Sequence, residues 1–212
     1  MIPIHKNHPP VLLSQYRSVP NASFADMPTA IKETLRKSLL EEQGGICCYC
    51  MSRINMQSSR IEHWECQSSA EDKQLDYSNM MLACHGNEGR EPTSQHCDVK
   101  KGDLSLRFNP SEPGHAQKLK IRYFNGSISS DDATFNTQLE TVLNLNFATL
   151  CRNRKAIYNA VINALNKKCG KRWKRAAIDS LIQKYTPLPH RQAEPFCGVA
   201  LYHLKKWRKK FS

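Results

Sequence analysis

The sequence predicts an α+β fold, and three successive patterns along the chain indicate it. A cysteine-rich block comes first, since most of the nine cysteines lie from Cys47 to Cys97. Alternating apolar and basic residues over 118–123 then lead into Asn125-Gly126, a dipeptide typical of a β-hairpin turn. From Asp132 onward, apolar residues recur at helical spacing. Strand and helix patterns therefore occupy separate stretches of the chain, as they do in α+β proteins.

The segment before the cysteine block predicts an extended arm and one helix. Residues 1–25 contain proline-bearing stretches and little periodicity, so they are interpreted as an arm. Asp26-Met27-Pro28 predicts a helix start, with Asp26 as the N-cap and Pro28 in the first turn. Three apolar residues at i, i+4 and i+8 from Ile31 form one helical face, and Gly44-Gly45 ends the helix.

Four helices are predicted after the hairpin, each from apolar residues that share one helical face. The first three contain, in order, Phe135, Leu139, Val142 and Leu143; Ile157, Val161, Ile162 and Leu165; and Trp173, Ala177, Leu181 and Ile182. The fourth follows a break at Thr186-Pro187-Leu188-Pro189 and runs from about Pro195 to Phe211. The chain is thereby divided into an N-terminal arm and helix (1–43), a cysteine-rich module (44–105), and a hairpin plus a mainly helical C-terminal region (106–212).

The composition is that of a globular protein with a basic surface. Apolar residues make up 40% and charged residues 24% of the 212 residues, and the formal net charge is +12. This balance suits a polyanionic partner, most often nucleic acid, although a merely solvated basic surface gives the same count. No apolar run approaches the roughly 18 residues of a membrane span, and the first ten residues lack the apolar core of a signal peptide. We therefore expect a cytoplasmic protein with no membrane partner.

The clustered cysteines predict a structural zinc site. Cys47 and Cys50 form a Cys-x-x-Cys pair, which can place two thiolates about 2.3 Å from one tetrahedral Zn²⁺. Cys84 and Cys97 are the best candidates for the other two ligands, because each flanks one of the motifs described below. Metal binding would supply much of the folding energy of so small a module.

Alternatives to this ligand set remain open. His85 and His96 lie next to the last two cysteines and offer imidazole nitrogens, and Cys48 could replace Cys47 through a different knuckle geometry. The twelve-residue insert from His85 to His96 departs from the spacing of a simple zinc ribbon. Without a metal, the cluster would be a set of buried free thiols. That role is also predicted for Cys66, Cys151, Cys169 and Cys197.

Three further motifs carry acid, base and amide side chains. Glu62-His63 follows the Cys-x-x-Cys pair, Asn79 precedes an apolar run that ends in Cys84, and Cys97-Asp98-Val99-Lys100-Lys101 comes last. This ordered set resembles the HNH endonucleases from Cys47 to Gly102, about a quarter of the chain. The resemblance implies a ββα-metal nuclease fold whose activity is phosphodiester hydrolysis.

The resemblance implies a role for each residue of these motifs. His63 would be the general base, since its intrinsic pKa suits proton transfer near neutral pH. Glu62 and Asp98 would hold one divalent cation, and their carboxylate oxygens favour Mg²⁺ or Mn²⁺. Asn79 would orient the base and its loop, and Lys101 would lie near the phosphate. Asp98 stands where the family commonly has His or Asn, and Glu62 where it commonly has Asp.

The same residues also have purely structural interpretations. Asp98 could cap the following helix, Asn79 could satisfy backbone groups in a turn, and Lys100 is a solvated alternative to Lys101. Trp64 is interpreted as a packing residue rather than a platform for base stacking. The position of His63 beside Glu62, inside this block, favours the catalytic interpretation.

A finer resemblance extends over most of the chain. The order Cys-Cys-Tyr-Cys, Ile-Glu-His, Leu-Asp-Tyr-Ser-Asn and His-Cys-Asp-x-x-Lys-Gly is similar to the HNH subunit (PtuB-like) of Septu-type anti-phage systems, including those linked to retrons. That family implies a partner ATPase of the ABC or SMC type. Its retron versions add a reverse transcriptase with its RNA-DNA product. The arm or the C-terminal helices are the predicted docking segments.

The sequence therefore predicts a metal-dependent nuclease within a defence assembly, acting on DNA or on an RNA such as tRNA. One alternative is a non-catalytic zinc module that binds nucleic acid, and another is a restriction-type HNH enzyme that acts alone. Glu62, His63 and Asp98 argue against the non-catalytic module, because phosphate binding alone favours Lys or Arg. The basic tail from Lys205 to Lys210 is predicted either to contact phosphates or to be a solvated helix end.

Overall fold

The computed structural model describes residues 1–170 and 172–211 of the chain. Within these residues, helices surround two separate two-stranded antiparallel sheets, in agreement with the predicted α+β class. The helices are α1 (Val11–Arg17), α2 (Thr29–Glu42), α3 (Cys97–Lys101), α4 (Pro113–Lys118), α5 (Ala133–Thr141), α6 (Ala148–Cys169), α7 (Arg175–Tyr185) and α8 (Cys197–Arg208). The strands are β1 (Ser59–His63), β2 (Met80–Cys84), β3 (Ile121–Phe124) and β4 (Ser127–Ser130), and 3-10 helices cover Glu71–Lys73, Tyr77–Asn79 and Lys209–Phe211.

The N-terminal segment contains a helix where an extended arm was expected. α1 follows Pro10, which occupies the N-cap, and Leu13 is the one buried residue among its seven. A single buried residue leaves no apolar periodicity in the sequence, so the prediction of an extended arm over 1–25 was wrong at residues 11–17. Met1 and Ile4, which precede the helix, are buried and belong to the core.

α2 confirms the predicted helix but begins later than expected. Leu35 and Leu39 are buried on its inner face. Pro28 occupies the N-cap, so the prediction of Asp26 as the cap was wrong. The Asp26 carboxylate instead accepts a hydrogen bond from Ser23 Oγ at 2.6 Å.

The end of α2 depends on a glycine. Gly44 has φ of +60°, and a Cβ atom there would lie 2.9 Å from the backbone nitrogen of Ala193. Both the backbone conformation and the close approach require a residue without a side chain. The chain thereby turns into the cysteine-rich module beside the segment that leads to α8.

The cysteine-rich module folds as two strands followed by a short helix. β1 and β2 pair antiparallel, with Ser59 opposite Cys84 and His63 opposite Met80. α2 and α3 both contact β2, which explains why Met80–Ala83 is a continuous buried apolar run rather than an alternating one. The order of strand, strand and helix is compatible with the expected nuclease module.

The predicted hairpin is formed by β3 and β4. Tyr123 pairs with Ile128, and both residues are buried. Asn125 and Gly126 make the turn with φ of +48° and +87°, as a type I′ connection requires. The buried guanidinium of Arg154 fixes the hairpin against α6 through a hydrogen bond to the Gly126 carbonyl at 2.5 Å.

The C-terminal region contains the predicted helices, here α5 to α8. α6 begins at Ala148, well before the first residue of its predicted apolar face. One continuous cluster of buried hydrophobic residues runs from Met1 to Leu204 and includes residues of every region of the chain. Among the described residues, no helix is both long enough and apolar enough to cross a membrane.

Candidate functional site

Four cysteine thiols converge in the cysteine-rich module. The sulfurs of Cys47, Cys50, Cys84 and Cys97 all lie within 4.8 Å of one another. The Cys47 and Cys97 sulfurs are 3.9 Å apart, and the Cys50 and Cys84 sulfurs are 3.7 Å apart. A tetrahedral Zn²⁺ with bonds of about 2.3 Å sets its ligands about 3.8 Å apart, so this cluster is compatible with zinc. The four residues are those that the sequence predicted.

Backbone N–H groups donate hydrogen bonds to two of the four sulfurs. The N–H of Cys84 donates to the Cys47 sulfur at 3.3 Å, and the N–H of Ser52 donates to the Cys50 sulfur at 3.4 Å. Burial opposes ionisation of Cys47, but hydrogen bonds from the neighbouring cysteine thiols hold its pKa well below the usual range. Burial and the neighbouring thiols raise the pKa of Cys84 and Cys97 instead, so without a metal one thiolate is shared within the cluster, and zinc binding would have to release the protons of the other ligands.

The alternative zinc ligands do not join the cluster. Cys48 is buried, and burial together with the charge of Cys47 raises the pKa of its thiol. His85 is exposed, and His96 contacts the Cys97 sulfur through Nδ1 at 3.1 Å, as a neighbour of a ligand. The N–H of His96 donates to the Gly86 carbonyl at 2.9 Å, so the ends of the insert meet. The length of the insert therefore does not separate Cys84 from Cys97 in space.

His63 is the last residue of β1, and both of its ring nitrogens have partners. Nε2 lies 2.9 Å from the Gln74 carbonyl oxygen, and Nδ1 lies 3.2 Å from the Gln67 side-chain nitrogen. A carbonyl oxygen only accepts, so Nε2 carries the proton of the neutral ring and Nδ1 keeps its lone pair. The Phe24 ring packs edge-on against the imidazole at 4.6 Å. Burial lowers the pKa of His63, against the hydrogen bond to Gln74, which favours the neutral imidazole that a base requires.

Glu62 lies in a buried polar cluster on the other side of β1. Its Oε1 accepts a hydrogen bond from the Tyr49 hydroxyl at 2.7 Å and pairs with the Lys101 ammonium at 2.9 Å. Burial, together with a hydrogen bond and the charge of the neighbouring Asp98, raises the pKa of Glu62 well above its usual range, although Lys101 opposes the shift. Glu62 and Asp98 therefore lie next to each other, and their role as ligands of one divalent cation stays a prediction.

The donor set of this carboxylate pair fits a hard divalent cation. Two neighbouring carboxylates repel each other, and a cation held between them would remove the repulsion and favour the ionised forms. Two protein oxygens are the usual complement for Mg²⁺, whose remaining positions go to water and phosphate oxygens. The charges of Lys101 and Asp98 also act on the pKa of His63, so the imidazole and the carboxylates influence each other electrostatically.

Lys101 does not face solvent. Its side chain is 1% exposed, and besides Glu62 it donates to the His63 carbonyl at 3.2 Å. The ammonium thus contacts the Glu62 carboxylate and the backbone of His63. This position differs from the surface location that contact with a phosphate requires.

Asn79 is buried between the two ends of the segment that follows His63. Its Oδ1 accepts from the Glu65 N–H at 2.8 Å, and its Nδ2 donates to the carbonyls of Glu65 at 3.0 Å and Lys73 at 3.3 Å. Its own carbonyl accepts from the Trp64 N–H at 2.9 Å. These bonds hold the loop that carries Gln67 and Gln74, the two partners of the imidazole.

The sequence reasoning missed three residues that contact the site, namely Tyr49, Gln67 and Arg60. Arg60 pairs with Asp98 at 3.3 Å, and its Nη2 lies 2.9 Å and 3.0 Å from the two carboxylate oxygens of Glu88 in the insert. Residues i and i+2 of a strand share a face, so the presence of Arg60 two residues before Glu62 was a usable signal. Tyr49 and Gln67 lie in loops and gave no such signal.

The remaining predicted residues have structural positions. Trp64 is half-buried and packs against the core, as predicted. Cys66 and Cys197 are buried, whereas Cys151 and Cys169 are half-buried, so the prediction of burial was wrong for those two. The chain contains no disulfide among these cysteines.

Comparison with known proteins gives one partial similarity. No protein-family model matches this chain. A protein of Vibrio cholerae serotype O1 biovar El Tor, named "Retron Vc95 putative HNH endonuclease", is 27% identical over 122 residues. The match covers 53% of this chain and 58% of that protein, so the chain spans little more than half of its relative. This similarity supports a relationship with the HNH endonucleases.

Proposed function

We propose that the protein is a metal-dependent HNH endonuclease that hydrolyses phosphodiester bonds in nucleic acid. The observation that carries the proposal is geometric: the Lys101 ammonium contacts both the Glu62 carboxylate, which neighbours Asp98, and the His63 carbonyl, in a module that also contains four clustered cysteine thiols. Metal-assisted phosphodiester hydrolysis needs a metal site and a general base. In this proposal the two carboxylates form the metal site and His63 is the base.

In this proposal His63 takes a proton from the attacking water at Nδ1. The bond from Nε2 to the Gln74 carbonyl fixes the ring and keeps the lone pair on Nδ1. Gln67 donates to the same nitrogen, so the attacking water replaces the Gln67 amide there. Asn79 holds the backbone of both partners through its bonds to Glu65 and Lys73.

Glu62 and Asp98 would hold one Mg²⁺ or Mn²⁺. When bound, the cation neutralises charge on the phosphate and on the leaving oxygen. Tyr49 and Lys101 fix the orientation of the Glu62 carboxylate. Cys47, Cys50, Cys84 and Cys97 would bind a structural Zn²⁺, which fixes the Cys-x-x-Cys knuckle against β2 and α3.

We also propose that the nuclease is the effector subunit of an anti-phage complex. Two findings support this: the resemblance of the motifs to Septu-type subunits, and the word retron in the name of the Vibrio relative. The proposed partners are an ABC- or SMC-type ATPase and, in a retron version, a reverse transcriptase with its RNA-DNA product. Copurification with an ABC- or SMC-type ATPase from the source cell tests this, and a nuclease that elutes alone at all concentrations argues against it.

The central experiment is His63→Ala, assayed on purified DNA and on tRNA with added Mg²⁺. Loss of a general base lowers the rate by roughly 10²- to 10⁴-fold. The matched control is His85→Ala, because His85 is an exposed histidine of the same module that lies outside the thiol cluster. Cleavage that survives His63→Ala at the wild-type rate refutes the base assignment. The substrate that the wild-type protein cleaves decides between DNA and RNA.

One observation favours a non-catalytic zinc module instead. The Lys101 ammonium already neutralises the Glu62 carboxylate at 2.9 Å, so the acid needs no cation for its stability. Titration of the wild-type protein and of the Glu62→Gln and Asp98→Asn variants with Mn²⁺ separates the two functions. The nuclease requires Mn²⁺ binding that is lost in both variants, whereas the non-catalytic module requires no such site.

A further inference from the structure

The positive charge of this protein comes from one end of the chain. Residues 141–212 contain sixteen Lys and Arg against two Asp and Glu, a net charge of +14. Residues 1–140 contain fifteen Lys and Arg against seventeen Asp and Glu, a net charge of −2. The part of the chain that holds the candidate nuclease site is thus slightly acidic, and it does not by itself attract a polyanion.

Many of these cations are displayed on α7, on α8 and on the 3-10 turn that follows α8. The exposed cations at the end of the chain are Lys205, Lys206, Arg208, Lys209 and Lys210. A cleft between α7 and α8 is lined by Arg175, Asp179, Ile182, Gln183, Lys205, Arg208 and Lys209. Four of these seven residues are cations and one is an acid, so the cleft carries net positive charge.

The single acid of the cleft does not neutralise it. Asp179 pairs with Arg175 at 3.8 Å and with Arg208 at 2.5 Å. The Arg208 pair joins the end of α8 to α7, whereas the Arg175 pair lies within α7. Lys205 adds a charge on the same side of α8, because it lies three residues before Arg208.

Aromatic rings accompany the cations on the other side of α8. Half-buried His203 and Trp207 pack with Tyr158 of α6, at ring-centroid distances of 4.6 Å and 5.9 Å. Lys206 and Lys210 lie three residues after these rings, on the same face. Cations interleaved with aromatic rings are the pattern of surfaces that bind a nucleic-acid backbone and contact its bases.

The surface is separate from the carboxylate pair and from the thiol cluster. α8 begins beside the zinc knuckle, where the Phe196 N–H donates to the Met51 carbonyl at 3.0 Å. Its twelve residues extend about 18 Å along the helix axis. The basic end of α8 therefore lies well away from the knuckle, and substitutions there leave both proposed metal sites intact.

We propose that α7, the C-terminal end of α8 and the turn after it form a surface that binds the phosphate backbone of nucleic acid. In this arrangement the C-terminal helices bind the nucleic acid, and the slightly acidic module of residues 44–105 cleaves it. The inference deepens the proposed function and rests on it only for the statement that the bound nucleic acid is the substrate. A membrane surface fits less well, because an interfacial helix needs an exposed apolar face, and the exposed side chains at this end of α8 are mainly cations.

The test compares two triple variants of equal charge. Lys205→Gln, Lys206→Gln and Lys210→Gln remove three exposed cations from the proposed surface. Arg17→Gln, Lys37→Gln and Lys118→Gln remove three exposed cations from the acidic part of the chain. Binding of a labelled duplex DNA and of a labelled tRNA is measured by fluorescence anisotropy over a range of salt concentrations, without added divalent cation.

The α8 variant is expected to raise Kd about tenfold or more near 0.1 M salt. It should also reduce the slope of log K against log salt by about two to three, since each duplex phosphate contact contributes about 0.9. The control variant should change Kd less than about twofold. Equal weakening of binding in both variants would show an effect of net charge alone. An unchanged salt slope in the α8 variant would show that these lysines do not contact phosphates. Either result overturns the proposal.

Two further measurements separate this inference from its alternatives. Vesicles of phosphatidylcholine with phosphatidylserine test the membrane: loss of vesicle binding in the α8 variant, with nucleic-acid binding retained, overturns the assignment. His63→Ala tests the nuclease, since it should abolish cleavage and leave the salt slope as it is. If the wild-type protein binds through α8 but cleaves no substrate, the proposed function fails while the surface stands.

Discussion

The cysteine cluster and the carboxylate pair lie in the same small module, but they differ in completeness. The four thiols already stand at the separations of a closed tetrahedral site. The carboxylate pair has only two acids, and cations of the protein accompany both: Lys101 beside Glu62 and Arg60 beside Asp98. A soft, closed set of ligands suits a metal that holds the fold, whereas a hard, open set suits a metal that shares its coordination with water and substrate.

This difference also explains which site constrains the fold. Cys47 and Cys50 lie in the knuckle, Cys84 ends β2 and Cys97 begins α3, so one zinc would link three segments. The carboxylate pair joins only β1 and α3, and Lys101 gives that joint a charge partner from within α3 itself. We therefore expect stability to depend strongly on the thiols and activity to depend on the acids.

The largest expected effect is that of Cys97→Ser. Loss of one thiolate opens the tetrahedral site, and zinc binding energies of about 10–16 kcal/mol are folding energies in small modules of this kind. We expect the variant to lose its zinc and its cooperative thermal unfolding transition. Metal content by inductively coupled plasma spectrometry and circular dichroism melting measure both.

The control for this prediction is Cys169→Ser. Cys169 is a half-buried free thiol at the end of α6, outside the cluster. This variant should keep one zinc per chain and shift the melting temperature by only a few degrees, about 1 kcal/mol or less. One zinc retained in Cys97→Ser, with the wild-type melting curve, contradicts the closed thiolate site.

The second effect concerns Lys101, the cation on the buried side of the carboxylate pair. Lys101→Met leaves the Glu62 carboxyl buried at 2% exposure without its ion-pair partner. Breaking a buried pair from one side costs about 3–5 kcal/mol, or roughly 6–20 °C in melting temperature for a chain of this size. Adding Glu62→Gln removes the second charge and should restore most of that stability without restoring activity.

Lys100→Met is the matched control, because Lys100 is the half-buried neighbour of Lys101 on the same helix. It should cost less than about 1 kcal/mol. If the double variant is as unstable as Lys101→Met alone, Glu62 and Lys101 do not act as a pair.

The contrast between Cys97 and Lys101 also shows what the sequence can and cannot predict. The thiol cluster, the helix around Leu35 and Leu39, and the Asn125-Gly126 hairpin were predictable, because residue type and spacing carry their chemistry. The burial of Lys101 was not predictable, because Lys is usually exposed to solvent. The carboxylate that neutralises it, Glu62, lies on β1, a different element of the fold. α1 was missed for a related reason, since Leu13 is its one buried residue and only Tyr16 adds a partly buried contact with the core. The closure of the insert by His96 and Gly86 depends on backbone geometry that no residue count shows.

A smaller effect is expected for Asn79, because under the proposed function it positions the general base His63 through the loop. Asn79→Ala removes one acceptor and two donor contacts to Glu65 and Lys73, at a cost of about 1–3 kcal/mol. The rate kcat should fall while KM changes little, and backbone amides of residues 64–74 should exchange hydrogen faster. Asn153→Ala, on the exposed side of α6, is the control. Normal exchange with a normal kcat would leave Asn79 with no positioning role.

The smallest effect is expected for Arg60, the cation on the solvent side of the Glu62–Asp98 pair. Its exposure contrasts with the burial of Lys101. Arg60 is 36% exposed, and exposed ion pairs contribute about 0–1 kcal/mol, so Arg60→Gln should hardly change the melting temperature. Removing a cation beside Asp98 should strengthen Mn²⁺ binding by about 1.4- to 5-fold, which corresponds to about 0.2–1 kcal/mol. Isothermal titration with Mn²⁺ measures it, with Arg122→Gln as control because Arg122 of the β3–β4 hairpin forms a surface ion pair with Asp131, outside the carboxylate pair. Unchanged Mn²⁺ affinity in Arg60→Gln would show that Arg60 does not compete with the divalent cation. A melting temperature that falls as far as in Lys101→Met would show that Arg60 stabilises the fold as strongly as the buried Lys101 does.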